Sequence, residues 1–228
     1  FEKANAQKRI SVYVQNGSST ANVQFNQMTH LVYAFFNPQN GNATGNITDA
    51  AGVPIPGAYQ SPGNSIWFTT ANFTAMIAAA RAANPTIKII ISAGGAPAGD
   101  AGLTTRFNTL LANAVTRAEL VLDYGAFIQQ YNLDGFDFDL EHPISVAEKN
   151  NHQTFLADMR TRLNGLEAAM CKKLEISIAL NGETDHFIVS PTGSDYVNPG
   201  VDASVDYYHL MTYDASYTTH NAVNSAWP

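Results

Sequence analysis

The sequence predicts an α/β protein built on a parallel sheet, because short runs rich in β-branched and aromatic residues alternate with stretches of helical periodicity. Its composition agrees: 45% of the 228 residues are hydrophobic and 14% charged, enough apolar material to bury a core and far from disordered chains. No repeat, low-complexity tract or linker divides the chain, so residues 1–228 are read as one domain.

The six strand-like runs fall at residues 9–14, 30–36, 87–92, 133–141, 174–180 and 205–213. Helical patterns occupy 71–83, 104–131 as one long or two shorter helices, and about 146–166, where Phe155, Met159 and Leu163 at four-residue spacing mark a buried stripe. Residues 37–64, crowded with Asn, Gly and Pro, read as a long loop, and 181–200 contain no clear helix, which breaks the strict alternation. Six strands fit either an open doubly wound sheet or part of a closed eight-stranded barrel, which alone leaves no unpaired edge.

A net charge of -7 argues against nucleic acid or an anionic membrane as partner and favours a neutral ligand. No apolar run approaches the roughly 18 to 20 residues of a spanning helix. The start, Phe1-Glu2-Lys3, lacks an initiator Met and the apolar stretch of a signal peptide, so a processed or engineered beginning is expected. The single cysteine, Cys171, excludes an internal disulfide framework and reads as a quiet thiol after a helix. Sequons at Asn16, Asn42, Asn46 and Asn72 are compatible with secretion and carry little weight in so Asn-, Ser- and Thr-rich a chain.

The central signal is Leu133-Asp134-Gly135-Phe136-Asp137-Phe138-Asp139-Leu140-Glu141. Alternation along a strand puts Asp137, Asp139 and Glu141 on one face, and Phe136, Phe138 and Leu140 on the other, which is apolar enough to lie under helices. Successive acids stand roughly 6 to 7 Å apart at Cα, close enough to repel when partly dehydrated, so at least one proton is retained near neutral pH. Glu141, last on the strand, is the natural proton donor. An acidic Mg or Ca site is the competing reading; no further His or Asp cluster supports it, and His142 reads as a loop residue.

Asp134, Asp137, Asp139 and Glu141 satisfy Asp-X-X-Asp-X-Asp-X-Glu, and in this the sequence resembles the catalytic barrel of glycoside hydrolase family 18 chitinases. Ser92-Ala93-Gly94-Gly95, one βα unit earlier, resembles the family's Ser-X-Gly-Gly, and Met211-Thr212-Tyr213-Asp214 its Met-X-Tyr-Asp. Paired glycines after a strand let the backbone turn sharply and approach its neighbours closely. The first two strands, Ser11-Val12-Tyr13-Val14 and Leu31-Val32-Tyr33-Ala34-Phe35-Phe36, are also similar to their counterparts.

The resemblance implies a TIM (β/α)8 barrel, here ending after about strand six, and hence a catalytic domain incomplete at its C-terminus whose remainder is a possible partner. It implies substrate-assisted, retaining hydrolysis of β-1,4-linked N-acetylglucosamine polymers with no cofactor and no metal, by a secreted protein. In the roles it implies, Glu141 is general acid and then base, Asp139 orients the substrate acetamido group, Asp137 tunes Asp139, and Tyr213 donates a hydrogen bond to the acetamido carbonyl. Asp214, Met211, Tyr13, Ser92, Gly94, Gly95 and Phe35 complete the substrate site, with Tyr13 and Ser92 hydrogen-bonded around Asp137. Trp67 is a sugar platform or, more simply, a core anchor. Asn181 departs from the family's Pro-containing segment after strand five. Two other functions stay open: a catalytically silent chitin-binding lectin-like protein, and an endo-β-N-acetylglucosaminidase acting on N-glycans.

Overall fold

The structure, a computed structural model, describes residues 8–15, 17–38, 70–96, 102–181 and 197–211. Six parallel strands occur in chain order: β1 (Ser11–Gln15), β2 (His30–Ala34), β3 (Lys88–Gly95), β4 (Gly135–Leu140), β5 (Glu175–Asn181) and β6 (Tyr207–Met211). Each pairs only with its sequence neighbours, so β1 and β6 are the sheet's two edges among the described residues. The helices are α1 (Thr70–Ala83), α2 (Leu103–Ala112), α3 (Ala114–Gln130), α4 (Val146–Met170) and the short α5 (Pro199–Asp202). Sequential order with all-parallel pairing is that of a β/α barrel, the second of the two architectures the six runs allowed; doubly wound sheets reverse their order at a switch point.

Local chemistry sets the element boundaries. The 104–131 pattern is two helices, because the Asn113 side chain accepts from Val115 N at 2.8 Å and Thr116 N at 3.4 Å and so caps a fresh start. A reciprocal capping box between Ser145 and Glu148 starts α4. Cys171, exposed and at φ 54°, ends it. The stripe Phe155, Met159 and Leu163 is fully buried. A short helical turn, α5, begins at the end of the 181–200 stretch, because the Asn198 side chain caps it and Pro199 presets its first φ; residues 182–196 lie outside the described residues. Most of the 37–64 loop, Trp67 and the sequons at Asn16, Asn42 and Asn46 lie outside the described residues; Asn72 is exposed on α1.

The outer face of β4 anchors the core. Phe136 packs on Tyr124 of α3 at 4.8 Å between ring centroids, and Phe138 meets Phe107 of α2 at 5.2 Å and Phe155 of α4 at 5.0 Å. His152 of α4 stacks on Phe138 at 4.8 Å, and burial pushes its pKa down to about 3, so it is a neutral core ring.

The amino-terminal ends of the strands converge on Glu175. Its carboxylate accepts from Arg9 at 2.7 Å, faces His30 Nε2 at 3.1 Å and pairs with Lys88, while the Arg9 guanidinium lies 3.6 Å over the Tyr207 ring. Burial works against ionisation of Glu175, but the bonds from His30, Lys88 and Arg9 outweigh it and hold the pKa down to about 2. Because the folded value lies below the unfolded one, near 4.5, this cluster stabilises the protein above about pH 4.5 and loses that contribution as pH falls toward 2. The shift corresponds to about 3 kcal/mol. Urea unfolding of wild type and Glu175→Gln at a series of pH values checks this: the gap between them narrows from pH 5 to pH 2, and a constant gap contradicts it.

Candidate active site

The acids of β4 divide as period-two alternation predicts. Asp137 is fully buried and Asp139 is 5% exposed, both on the barrel interior. Glu141 follows at the strand's carboxyl end, where Thr104 of α2 donates to its backbone carbonyl at 2.8 Å. Asp134, the first acid of the motif, lies at the opposite end of the strand. It accepts from Ile89 N at 2.9 Å and from Lys172 at 2.9 Å, which ties β4 to β3 and to the end of α4.

Three hydroxyls surround Asp137. Tyr13 donates to Oδ2 at 2.9 Å, Ser92 to the same oxygen at 2.6 Å and Ser177 of β5 to Oδ1 at 2.6 Å. Tyr13 and Ser92 are the two hydroxyls that the family resemblance implies around Asp137, and Ser177 is an addition. Asp139 is different: its buried Oδ1 has no hydrogen-bond partner among the described residues.

These environments set the protonation. Burial raises the Asp137 pKa and the three hydroxyls with His209 pull it back. Asp139 is pushed well above the ordinary carboxylate range, first by burial and then by the charges of Asp137 and Glu141. Burial also raises Glu141. The shifts run in the direction that favours a retained proton, with dehydration a larger cause than mutual repulsion. His142 Nε2 lies 3.8 Å from Glu141 Oε2. No group of His, Cys, Asp and Glu side chains among the described residues is arranged to hold a metal ion.

Gly94 and Gly95 work through close approach. At φ 115° and 98° they occupy backbone conformations that L side chains rarely adopt. A Cβ on Gly94 would stand 2.1 Å from the Asp139 carbonyl oxygen, and one on Gly95 2.8 Å from the Phe35 ring. Asn37 fixes this turn, donating to Gly94 O at 2.7 Å and accepting from Gly94 N at 2.6 Å. The peptide bonds Ala34–Phe35 and Glu141–His142 are cis.

A cleft of about 440 Å³ opens over the barrel interior, with Tyr13, Phe35, Asp139, His209 and Met211 in its wall. The structure thus brings Tyr13, Ser92, Asp137, Asp139, Phe35 and Met211 to one end of the sheet, with Gly94 and Gly95 packed beside them. Tyr213 and Asp214 lie outside the described residues. Sequence reasoning missed Ser177, Asn37 and His209. For Ser177 the signal was a small polar residue between Glu175 and Ala179 on the inward face of a strand beside the acids.

Acids gathered toward the carboxyl end of one barrel strand, with Asp139 in the wall of a cleft, define an α/β-barrel protein equipped for acid–base chemistry on a bound ligand. Residues 9–226 match the family Glycosyl hydrolases family 18, and the chain belongs to that family. Chitinase A1 of Niallia circulans is 29% identical over 153 residues, covering 63% of this chain and 19% of that protein. Probable chitinase 2 of Drosophila melanogaster is 25% identical over 204 residues, covering 88% and 37%. Among solved structures, a class V chitinase mutant from Nicotiana tobaccum in complex with NAG4 shares the fold at TM-score 0.66 and 19% identity, covering 91% of this chain and 52% of that one. A chitinase-like agglutinin from Robinia pseudoacacia does so at TM-score 0.66 and 21% identity, covering 90% and 54%. The chain spans about half the length of these structures and less of the curated relatives.

Gly94→Ala tests the close approach of β3 to β4. It is expected to destabilise the protein by about 2 kcal/mol or more, from positive φ together with the backbone clash; a denaturation midpoint equal to wild type contradicts that.

Proposed function

We propose that this protein hydrolyses β-1,4-linked N-acetylglucosamine polymers, chitin and its oligomers, with retention of configuration and with the substrate's own acetamido group as nucleophile. The observation that carries the reading is the pairing of two acids of unlike environment: Asp139, buried with one oxygen lacking a hydrogen-bond partner among the described residues, and Glu141, partly exposed at the strand end with its proton affinity raised. Family membership and relatives named as chitinases support it.

In the first step the acetamido oxygen attacks the anomeric carbon while Glu141 gives its proton to the departing glycosidic oxygen. The C–O bond breaks and an oxazolinium ion remains. Asp139 orients the acetamido N–H and balances the positive charge that develops there, and Asp137, held by Tyr13, Ser92 and Ser177, supplies the negative field beneath it. Tyr213 donates to the acetamido carbonyl. In the second step the Glu141 carboxylate takes a proton from water, which attacks the anomeric carbon from the face the leaving group left; the bond from that carbon to the acetamido oxygen breaks, the acetamido group is restored and the configuration is retained. Intramolecular attack supplies much of the rate, since effective molarities on the order of 10⁵ M accompany good geometry. Met211, Phe35 and Asp214 complete the sugar site. The chain forms part of one catalytic domain, and an insoluble polymer substrate places the enzyme outside the cell.

A binding-only reading has one observation in its favour, the shared fold of the Robinia agglutinin. The complete acid trio favours hydrolysis over it.

Glu141→Gln is expected to lower kcat at least about 100-fold while leaving affinity for N-acetylglucosamine tetramer within a few-fold of wild type. Undiminished turnover would sink the assignment. For the wild type, kcat/KM falls on the alkaline side as free-enzyme Glu141 loses its proton, at a pH above the ordinary carboxylate range; a decline centred near 4.5 contradicts this. Proton NMR of the first product formed shows the β-anomer, and an initial α-anomer excludes retention.

A further inference from the structure

His209 belongs to none of the sequence motifs, yet β6 turns it into the barrel. It pairs in register with Ala179 of β5, two residues beyond Ser177, and lines the same cleft as Tyr13 and Asp139. Its ring meets that of Tyr13 edge to face, with centroids 5.6 Å apart and planes at 87°, and the Tyr13 hydroxyl donates to Asp137. Its Nε2 is buried and has no hydrogen-bond partner among the described residues.

We propose that His209 is a positioning residue for the acid strand: its imidazole sets the rotation of the Tyr13 ring on Asp137 and decides whether the Asp137/Asp139 pair keeps its negative charge as the pH falls. The inference rests on the glycosidase reading above and deepens it.

The groups facing the imidazole from the packed elements are Asp137 of β4, Asp139 in the shared cleft, Tyr13 and Arg9 at β1, and His30 of β2. Burial lowers the His209 pKa from its ordinary 6.5, Asp137 acts to raise it, and Arg9 and His30 oppose a further cation. In turn, His209 acts to lower the Asp137 pKa against burial. The charged form of each stabilises the charged form of the other, so the two groups titrate as a coupled pair. Without the imidazole Asp137 protonates at higher pH, and Asp139 loses the negative field beneath it.

Two experiments on the intact protein test this. Carbon-detected NMR of the wild type follows the His209 ring and the Asp137 carboxyl together: coupled, two-step curves with common inflections are expected, and two independent single-step curves overturn the proposal. This readout needs neither a variant nor turnover, so it stands apart from failure of the glycosidase reading. In the kinetics, His209→Gln is expected to move the acid limb of kcat/KM upward by about one pH unit while the alkaline limb stays in place. A uniform fall in kcat at every pH with both limbs unmoved assigns His209 to packing alone and overturns the proposal.

Discussion

The burial of two carboxyl groups, Asp137 and Asp139, inside a parallel sheet, without a cation in hydrogen-bond contact among the described residues, is the constraint around which this protein is arranged. Dehydrating a carboxylate costs several kcal/mol unless hydrogen bonds or a proton compensate. Asp137 is surrounded by hydroxyls from three different strands, whereas Asp139 keeps an oxygen without a hydrogen-bond partner among the described residues, and burial raises its proton affinity. Two carboxyls one pleat apart thereby acquire different chemistry, because only one of them has been solvated by the protein.

The opposite end of the same strands shows what a satisfied acid looks like. Glu175 meets Arg9, Lys88 and His30, and Asp134 meets Lys172 and a backbone amide of β3. There the acids join strands, and the partners of Glu175 hold its proton affinity down; at the carboxyl end burial, more than mutual repulsion, raises that of Asp139 and Glu141. Charge compensation at one end, and burial without it among the described residues at the other, distinguish the two faces of the barrel. The large outer-face aromatics, Phe136 and Phe138 against α2, α3 and α4, hold β4 rigid while its inner face carries that imbalance. The close approach at Gly94 serves the same end from β3, bringing backbone where a side chain would push the acid strand away.

Much of this was legible in the amino-acid order. The alternation of Asp with Phe along β4, the stripe Phe155, Met159 and Leu163, and the paired glycines that end β3 are local patterns, and strand and helix periodicity translate the first two directly into faces. The break between α2 and α3 was open in the sequence, since either one or two helices fit the apolar spacing, and the Asn113 cap resolved it. The turn at α5 escaped the reading because four residues are too few to show a period.

The sequence by itself determined which residues share a face and which strand carries the acids, because both follow from the two-residue pleat of a single segment. Only the tertiary structure decided that Ser177 meets that strand, that His209 packs on Tyr13 beside it and Asn37 fixes the turn at Gly94, and that Asp134 lies at the strand's other end. Those contacts join strands far apart along the chain, and their meeting depends on lateral order and register, which no local periodicity encodes.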